Sequence, residues 1–102
     1  MTLRENIADN GGLQIALEAW KNKDKSDLKL PGLEHLSQIQ LFFIGYAKWL
    51  CESKKSPAKE LELKIDSHSP RKARVNIVTG NSPDFSNAFG CNIPKKDVCT
   101  LW

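Results

Sequence analysis

The fold of this 102-residue chain is decided by residues 33–50, which read LEHLSQIQLFFIGYAKWL. Apolar positions recur there every three or four residues, as on one face of an α-helix, so the pattern predicts a helix over about residues 34–52. Phe42, Tyr46 and Trp49 widen this face beyond a single stripe. A helix this apolar must be covered on more than one side, which predicts a mainly helical protein. His35, near the start of the helix, is expected to be an ordinary surface side chain.

Helical patterns also occur on both sides of this stretch. Residues 3–23 have a mostly helical spacing that Gly11-Gly12 interrupts, and the glycine pair indicates a break, a kink or a close backbone approach. Ser56-Pro57 opens a short third helix, with proline at an early helical position. Ser82-Pro83 precedes a further helix over Asp84–Phe89.

The remaining segments favour extended or irregular backbone. Leu61, Leu63 and Ile65 alternate, so the end of the third helix could equally be extended. Residues 66–70 are predicted to be non-helical because Pro70 restricts the residue before it. A short extended stretch is predicted around residues 75–78, and the tail from residue 90 to 102 resembles a loop. The fold class is therefore mainly α, with irregular loops and little strand.

Composition excludes several classes of protein. The chain is 40% hydrophobic and 26% charged with a net charge of +3, which is typical of one small globular domain. The charge is too small and too evenly spread to predict a nucleic-acid partner, and residues 21–29 mix acids with lysines as a solvated helix end and linker do. The longest apolar run stops at Lys48, well short of the roughly 18 residues of a membrane span. No signal-peptide pattern is present at the N-terminus, and no membrane contact is expected from this segment.

Three cysteines, Cys51, Cys91 and Cys99, make an odd number and form no C-x-x-C pair. Their spacing from the two histidines does not predict a Cys/His zinc site. Two interpretations stay open: buried free thiols in a cytosolic protein, or disulfides to cysteines outside this chain.

Candidate chemistry is concentrated in two short segments. Glu5 and Asp9, four residues apart, share one helical face, where they could bind a metal ion and orient a ligating histidine. The alternative is two solvated acids near a helix N-terminus. His68, in the turn before Pro70, could donate a hydrogen bond to a developing oxyanion, and the nearby Arg71, Lys72 and Arg74 should favour its neutral form. The alternative is a surface turn.

Taken together, these segments resemble the C-terminal end of the neprilysin and endothelin-converting-enzyme family of zinc metallopeptidases. The resemblance extends along the whole chain and depends on three blocks in order, which are Glu5-Asn6-Ile7-Ala8-Asp9-Asn10-Gly11-Gly12, the segment from His68-Ser69-Pro70 to Arg74, and the terminus Cys99-Thr100-Leu101-Trp102. Further matches lie between them, in Leu30-Pro31-Gly32-Leu33, Gln40-Leu41-Phe42-Phe43 and Asn81-Ser82-Pro83.

The resemblance implies a role for each matching residue. Glu5 is similar to the third zinc ligand of a two-His, one-Glu site, and Asp9 to the carboxylate that orients a zinc-bound histidine and is also described as a proton donor. His68 is similar to the histidine that stabilises the oxyanion, and Arg74 to the arginine that grips the backbone carbonyl of the bound peptide. The three cysteines are similar to family cysteines that pair with upstream partners.

The implied fold is the C-terminal portion of a thermolysin-like (zincin) catalytic domain, and the implied cofactor is one Zn²⁺. The H-E-x-x-H helix, which supplies two ligands and the general base, is absent from residues 1–102, so we expect a partial catalytic domain that is inactive alone. Arg4 stands where the family usually has a small residue. The family's tryptophan beside Cys51 is shifted by one residue, and its Met-Asn-Pro turn is reduced to Ile93-Pro94 in a shortened segment.

Two functions follow as expectations. The first is the C-terminal segment of an extracellular zinc metalloendopeptidase, membrane-anchored or secreted, that hydrolyses small peptides on the amino side of apolar residues. Its partners would be peptide substrates and the upstream part of the same catalytic domain. The second is a stand-alone, non-catalytic binding or decoy protein derived from the family. In either case we expect the isolated chain to be of low stability and prone to aggregation, because its apolar helices need further cover.

Overall fold

A computed structural model describes residues 2–23 and 29–91, which form five α-helices. The helices are α1 (Leu3–Asn22), α2 (Gln38–Trp49), α3 (Ser56–Ile65), α4 (Arg71–Gly80) and α5 (Pro83–Phe89). These residues contain no β-strand, so the predicted mainly helical class is confirmed. None of the helices in the described ranges has the length and apolarity needed to cross a membrane.

The core forms where α2 meets α1, α4 and α5. Phe43 of α2 is 2% exposed and packs with Leu13 and Leu17 of α1 and Val78 of α4. The ring of Phe85 on α5 meets the Phe43 ring edge-on, with centroids 5.2 Å apart. Covering α2 on several sides is what its wide apolar face requires, and the contact with Phe85 adds to the stabilisation that burial supplies.

Helix α2 is shorter than its apolar pattern predicts, beginning at Gln38 rather than near residue 34 and ending at Trp49 rather than 52. Its start is set by a capping box: the Ser37 hydroxyl accepts from the Gln40 backbone N–H at 3.2 Å, and Gln40 Oε1 accepts from the Ser37 N–H at 2.8 Å. Gln40 Nε2 also donates to the Ala88 carbonyl at 2.9 Å, which ties α2 to α5. His35 lies before the helix and is exposed, as expected.

Helix α1 runs without a break through Gly11 and Gly12 to Asn22, one residue before the predicted end. The break that was one of three explanations for the glycine pair is therefore absent. A Cβ added at Gly12 would meet nothing within 4 Å, so no close backbone approach explains that glycine either. Gly11 is buried beside Leu13, and burial of Leu13 and Leu17 offsets a glycine cost of about 1 kcal/mol each.

The extended stretch predicted around residues 75–78 was also wrong, because these residues form α4. Val75 is half-buried while Val78 and Thr79 are buried, which is a helical rather than an alternating spacing. Tertiary packing thus outweighs the strand preference of β-branched residues. Residues 66–70 are non-helical as predicted, and Pro70 stands at the N-cap of α4.

The bounds of the two remaining helices, α3 and α5, differ only slightly from the prediction. Helix α3 is helical to Ile65, not extended at its end, and buries none of its residues. Helix α5 begins at Pro83, one residue before the prediction, and the Ser82 hydroxyl accepts from the Phe85 N–H at 3.3 Å. It ends at Phe89, and the cap residue Gly90 has a φ of 63°, a left-handed conformation that favours glycine. The predictions for residues 24–28 and for the tail beyond residue 91 lie outside the described residues.

Candidate functional site

Polar side chains of α1 meet α4 and its flanking turns along one line, here called the polar seam. The seam consists of four contacts, Glu5–His68, Asn6–Ser69, Asp9–Arg74 and Asn10–Asn81. The α1 members lie at positions i, i+1, i+4 and i+5, which share one helical face. Their partners follow in the same order along the chain, so the seam fixes the register of α1 against α4.

His68 lies between two carboxylates. Its Nε2 is 3.3 Å from Glu5 Oε2, and its Nδ1 is 2.9 Å from Asp66 Oδ1. The backbone N–H of His68 donates to the same Asp66 oxygen at 2.8 Å. That backbone bond, followed by the side-chain bond, lowers the pKa of Asp66 below its ordinary value. The Asp66 carboxylate therefore holds both the turn and the orientation of the imidazole ring.

Two of the three cations expected near His68, Arg71 and Arg74, pair with carboxylates of other segments. Arg71 Nε is 3.3 Å from Glu52, and Arg74 pairs with Asp9, so these two cations each face a carboxylate. An ionised Asp66 can only accept, so the contact at Nδ1 places a proton there.

Asp9 and Arg74 form the least exposed ion pair of the seam. Arg74 Nε donates to Asp9 Oδ2 and Arg74 Nη2 donates to Asp9 Oδ1, both at 2.7 Å, and the side chains are 13% and 15% exposed. The hydrogen bonds from Arg74 to Asp9 are the main cause of a raised Arg74 pKa. A bidentate, charge-assisted pair of this kind positions both groups firmly.

Tyr46 links this ion pair to the core. Its hydroxyl donates to the Arg74 backbone carbonyl at 3.3 Å. Burial raises the pKa of Tyr46 most, the Asp9 charge raises it further, and the Arg74 charge opposes both. The phenol is thus held neutral beside a charged pair.

The structure brings the four predicted site residues together in two pairs, Glu5 with His68 and Asp9 with Arg74. Sequence reasoning gave no role to the polar partners beside them. Ser69 donates to Asn6 Oδ1 at 2.7 Å, and Asn81 Nδ2 donates to Asn10 Oδ1 at 3.0 Å. The signal was present, because an asparagine directly follows both Glu5 and Asp9 and repeats their four-residue spacing.

A second group of charges flanks the His68 turn. Lys54 Nζ is 2.6 Å from Glu62 on α3 and 3.0 Å from Glu52, whose carboxylate also contacts Arg71 at the start of α4. Its hydrogen bond to Glu62 is the largest cause of a raised Lys54 pKa. This network connects α3 to α4 on either side of the turn.

Cys51 and Cys91 are exposed free thiols in the structure, so the interpretation as buried thiols does not hold for these two. Cys99 lies outside the described residues. Pairing with cysteines beyond this chain stays a prediction. Arg4 is exposed on α1, one residue from Glu5.

The described residues do not complete a zinc site. Within residues 2–23 and 29–91, no three His, Cys, Asp or Glu side chains converge as a metal ion would require. Glu5, whose side chain is 39% exposed, offers one carboxylate, and its neighbour His68 uses Nδ1 for Asp66. The arrangement fits one ligand position and requires further ligands from elsewhere.

Comparison with known proteins places these residues in a family. The family model described as peptidase family M13 matches residues 1–99. Neprilysin-1 of Caenorhabditis elegans is 45% identical over 100% of the chain and 15% of its own length. An endothelin-converting enzyme homolog of Locusta migratoria is 40% identical over 99% of the chain and 15% of its length. Neprilysin-3 of Drosophila melanogaster is 38% identical over 99% of the chain and 14% of its length. No solved structure matches the chain.

Proposed function

This chain belongs to peptidase family M13, and we propose that it is the C-terminal segment of the catalytic domain of a neprilysin-like zinc metalloendopeptidase. The longer enzyme would hydrolyse small extracellular peptides. The observation that supports the proposal most is the polar seam, in which Glu5, Asp9, His68 and Arg74 lie side by side. The chain spans only about one seventh of its relatives' length, since it covers 15% of each of the first two.

Glu5 would supply one carboxylate ligand to zinc, and the other ligands would come from an upstream segment. Bound zinc would supply Lewis-acid polarisation of the peptide carbonyl. The Glu5 side chain is 39% exposed at the outer end of the seam, so its carboxylate remains accessible to such a segment.

His68 would stabilise the oxyanion by donating from Nε2. Asp66 holds the opposite ring nitrogen at 2.9 Å, which leaves Nε2 as the atom directed away from the turn and toward Glu5. A hydrogen-bond donor fixed in this way loses little free energy to reorganisation when charge develops on the substrate.

Asp9 would orient a zinc-bound histidine, and Arg74 would bind a backbone carbonyl of the peptide substrate. Each Asp9 oxygen accepts one bond from Arg74, so each keeps a lone pair with which to orient an upstream histidine. Arg74 spends two of its N–H groups on Asp9 and keeps others for a substrate carbonyl.

The proposal is tested on the native product, isolated with an antibody to the C-terminal peptide ending in Trp102. We expect a mass far above 11.5 kDa that persists after reduction, together with peptide hydrolysis that a zinc chelator abolishes. A matched pair of variants, Glu5→Gln and the exposed Glu18→Gln, should separate the two acids, with only the first losing bound zinc. A product of 11.5 kDa without hydrolysis would contradict the proposal and favour the binding or decoy protein.

A further inference from the structure

Among the described residues, two polar contacts join the turn that carries His68 to helix α1. In one, His68 Nε2 is 3.3 Å from Glu5 Oε2, and these side chains are 43% and 39% exposed. In the other, the Ser69 hydroxyl donates to Asn6 Oδ1 at 2.7 Å, and both residues are half-buried. The Ser69–Asn6 hydrogen bond is therefore the shorter and better shielded link between the turn and α1.

We propose that Asn6 and Ser69 are positioning residues, whose hydrogen bond sets where His68 stands relative to Glu5 while a peptide is bound. The inference rests on the proposed function and adds two residues to it. Asn6 directly follows Glu5, and Ser69 directly follows His68. The bond thus joins the neighbours of the proposed zinc ligand and of the proposed oxyanion donor, and it engages no atom that either group uses.

The Glu5–His68 contact cannot hold the turn in the working site. In the proposed function the Glu5 carboxylate binds zinc and His68 Nε2 faces the oxyanion, so both atoms of the 3.3 Å contact then have other partners. Within the described ranges, the Asp66 carboxylate is hydrogen-bonded to His68 alone, so it orients the ring without fixing the turn to α1. The Ser69–Asn6 hydrogen bond is the contact that remains.

The backbone on both sides of this hydrogen bond is held firmly, so a single bond between them can fix the turn. Pro70 restricts Ser69 to extended conformations, and the Pro70 carbonyl accepts from two N–H groups of α4 at 2.8 and 3.0 Å. On the other side, the Asn6 N–H donates to the Thr2 carbonyl at 2.9 Å in the first turn of α1. Because a displacement of about 1 Å can slow a reaction roughly 100-fold, loss of the bond should affect the chemistry.

The test compares Ser69→Ala with Ser69→Thr and Ser82→Ala in the complete product of the gene. Ser69→Thr keeps a hydroxyl in the turn, whereas the matched control Ser82→Ala removes the hydroxyl that caps α5, beyond the opposite end of α4. We expect Ser69→Ala to lower kcat for a short apolar peptide roughly 10- to 100-fold, with KM changed less than about threefold. The other two variants should keep kcat within about threefold of the wild type.

Urea unfolding of the metal-free proteins shows whether the control is matched. Each alanine variant should lower the ratio of folded to unfolded protein, roughly 2- to 12-fold, because each loses one hydrogen bond of its own. A similar loss of stability with different kcat values would assign the effect of Ser69→Ala to the position of His68.

Binding of two zinc-directed ligands separates positioning from a general loss of structure. A peptide phosphoramidate carries tetrahedral oxygens that imitate the oxyanion, whereas a peptide thiol imitates no oxyanion. Calorimetry should show that Ser69→Ala weakens binding of the phosphoramidate roughly 10- to 100-fold and of the thiol less than about threefold, with zinc content unchanged. Asn6→Ala should give the same result, and the double variant should lose no more than either single variant.

Wild-type kcat in Ser69→Ala, equal weakening of the two ligands, or the same loss of kcat in Ser82→Ala would overturn the inference. With hydrolysis by the wild type, any of these results would refute the positioning role alone and leave the peptidase. A wild-type product that neither binds zinc nor hydrolyses the peptide would refute the proposed function and this role with it.

Discussion

Removing one partner of the Asp9–Arg74 ion pair should destabilise the fold far more than removing both. Arg74→Met leaves the Asp9 carboxylate, only 13% exposed, without its two 2.7 Å hydrogen bonds. Stranding a charge this way costs about 3–5 kcal/mol when burial is complete, and residual exposure of 13–15% places the expected loss near the lower end. Such a loss is a large fraction of the roughly 5–15 kcal/mol that stabilises a typical domain.

The double variant Asp9→Leu with Arg74→Met carries no stranded charge, so most of the loss should be recovered. The assay is urea unfolding of the four proteins of this mutant cycle, followed by far-UV circular dichroism. We expect a coupling free energy of at least about 2 kcal/mol between the two positions. The matched control is the exposed Glu18–Lys21 pair, where a cycle should give about 0–1 kcal/mol. A coupling at Asp9–Arg74 no larger than in this control would refute the reasoning.

The remaining predictions concern the cap, the core phenol and the His68 turn. Ser37→Ala removes the capping box of α2 and should lower the free energy of unfolding by about 1 kcal/mol, as measured by urea titration. An unchanged free energy of unfolding would contradict a stabilising role for this cap. Because the pKa of Tyr46 is raised in the folded chain, the unfolded phenol ionises first as pH rises. Stability should therefore be complete below pH of about 10 and fall above it, and Tyr46→Phe should reduce that fall in unfolding measured against pH. Asp66→Asn removes the ionised acceptor at His68 Nδ1, so the imidazole nitrogen NMR signals of His68 should shift. The signals of the exposed His35 should stay in place. Unchanged His68 signals would show that Asp66 does not orient the ring.

The sequence predicted the helical class because helical spacing recurs along most of the chain and the wide apolar face of α2 needs cover on more than one side. It misplaced the start of α2 because Leu33 and Leu36 continue the apolar spacing through turns, and the capping box at Ser37 decides where the helix begins. It missed α4 because Val75, Ile77 and Val78 favour strands locally, whereas burial of Val78 against Phe43 decides the outcome. At α4 local propensity and tertiary packing disagree, and packing prevails.

For the site, the sequence named Glu5, Asp9, His68 and Arg74 through a resemblance, and the structure shows how they pair. Spacing alone could not join α1 to residues more than 60 positions later in the chain. It also suggested that cations surround His68, because Arg71 and Arg74 are close in sequence. In three dimensions both arginines turn to carboxylates on other segments, since oppositely charged groups pair where packing allows.

The central claim is that His68 acts on the substrate of a peptidase, and hydrolysis of a short apolar peptide by the complete product tests it most directly. The comparison is between His68→Gln and His35→Gln, the only two histidines of the chain. We expect His68→Gln to lower kcat about 10²- to 10³-fold with little change in KM, and His35→Gln to match the wild type. Equal kcat in the two variants would contradict it.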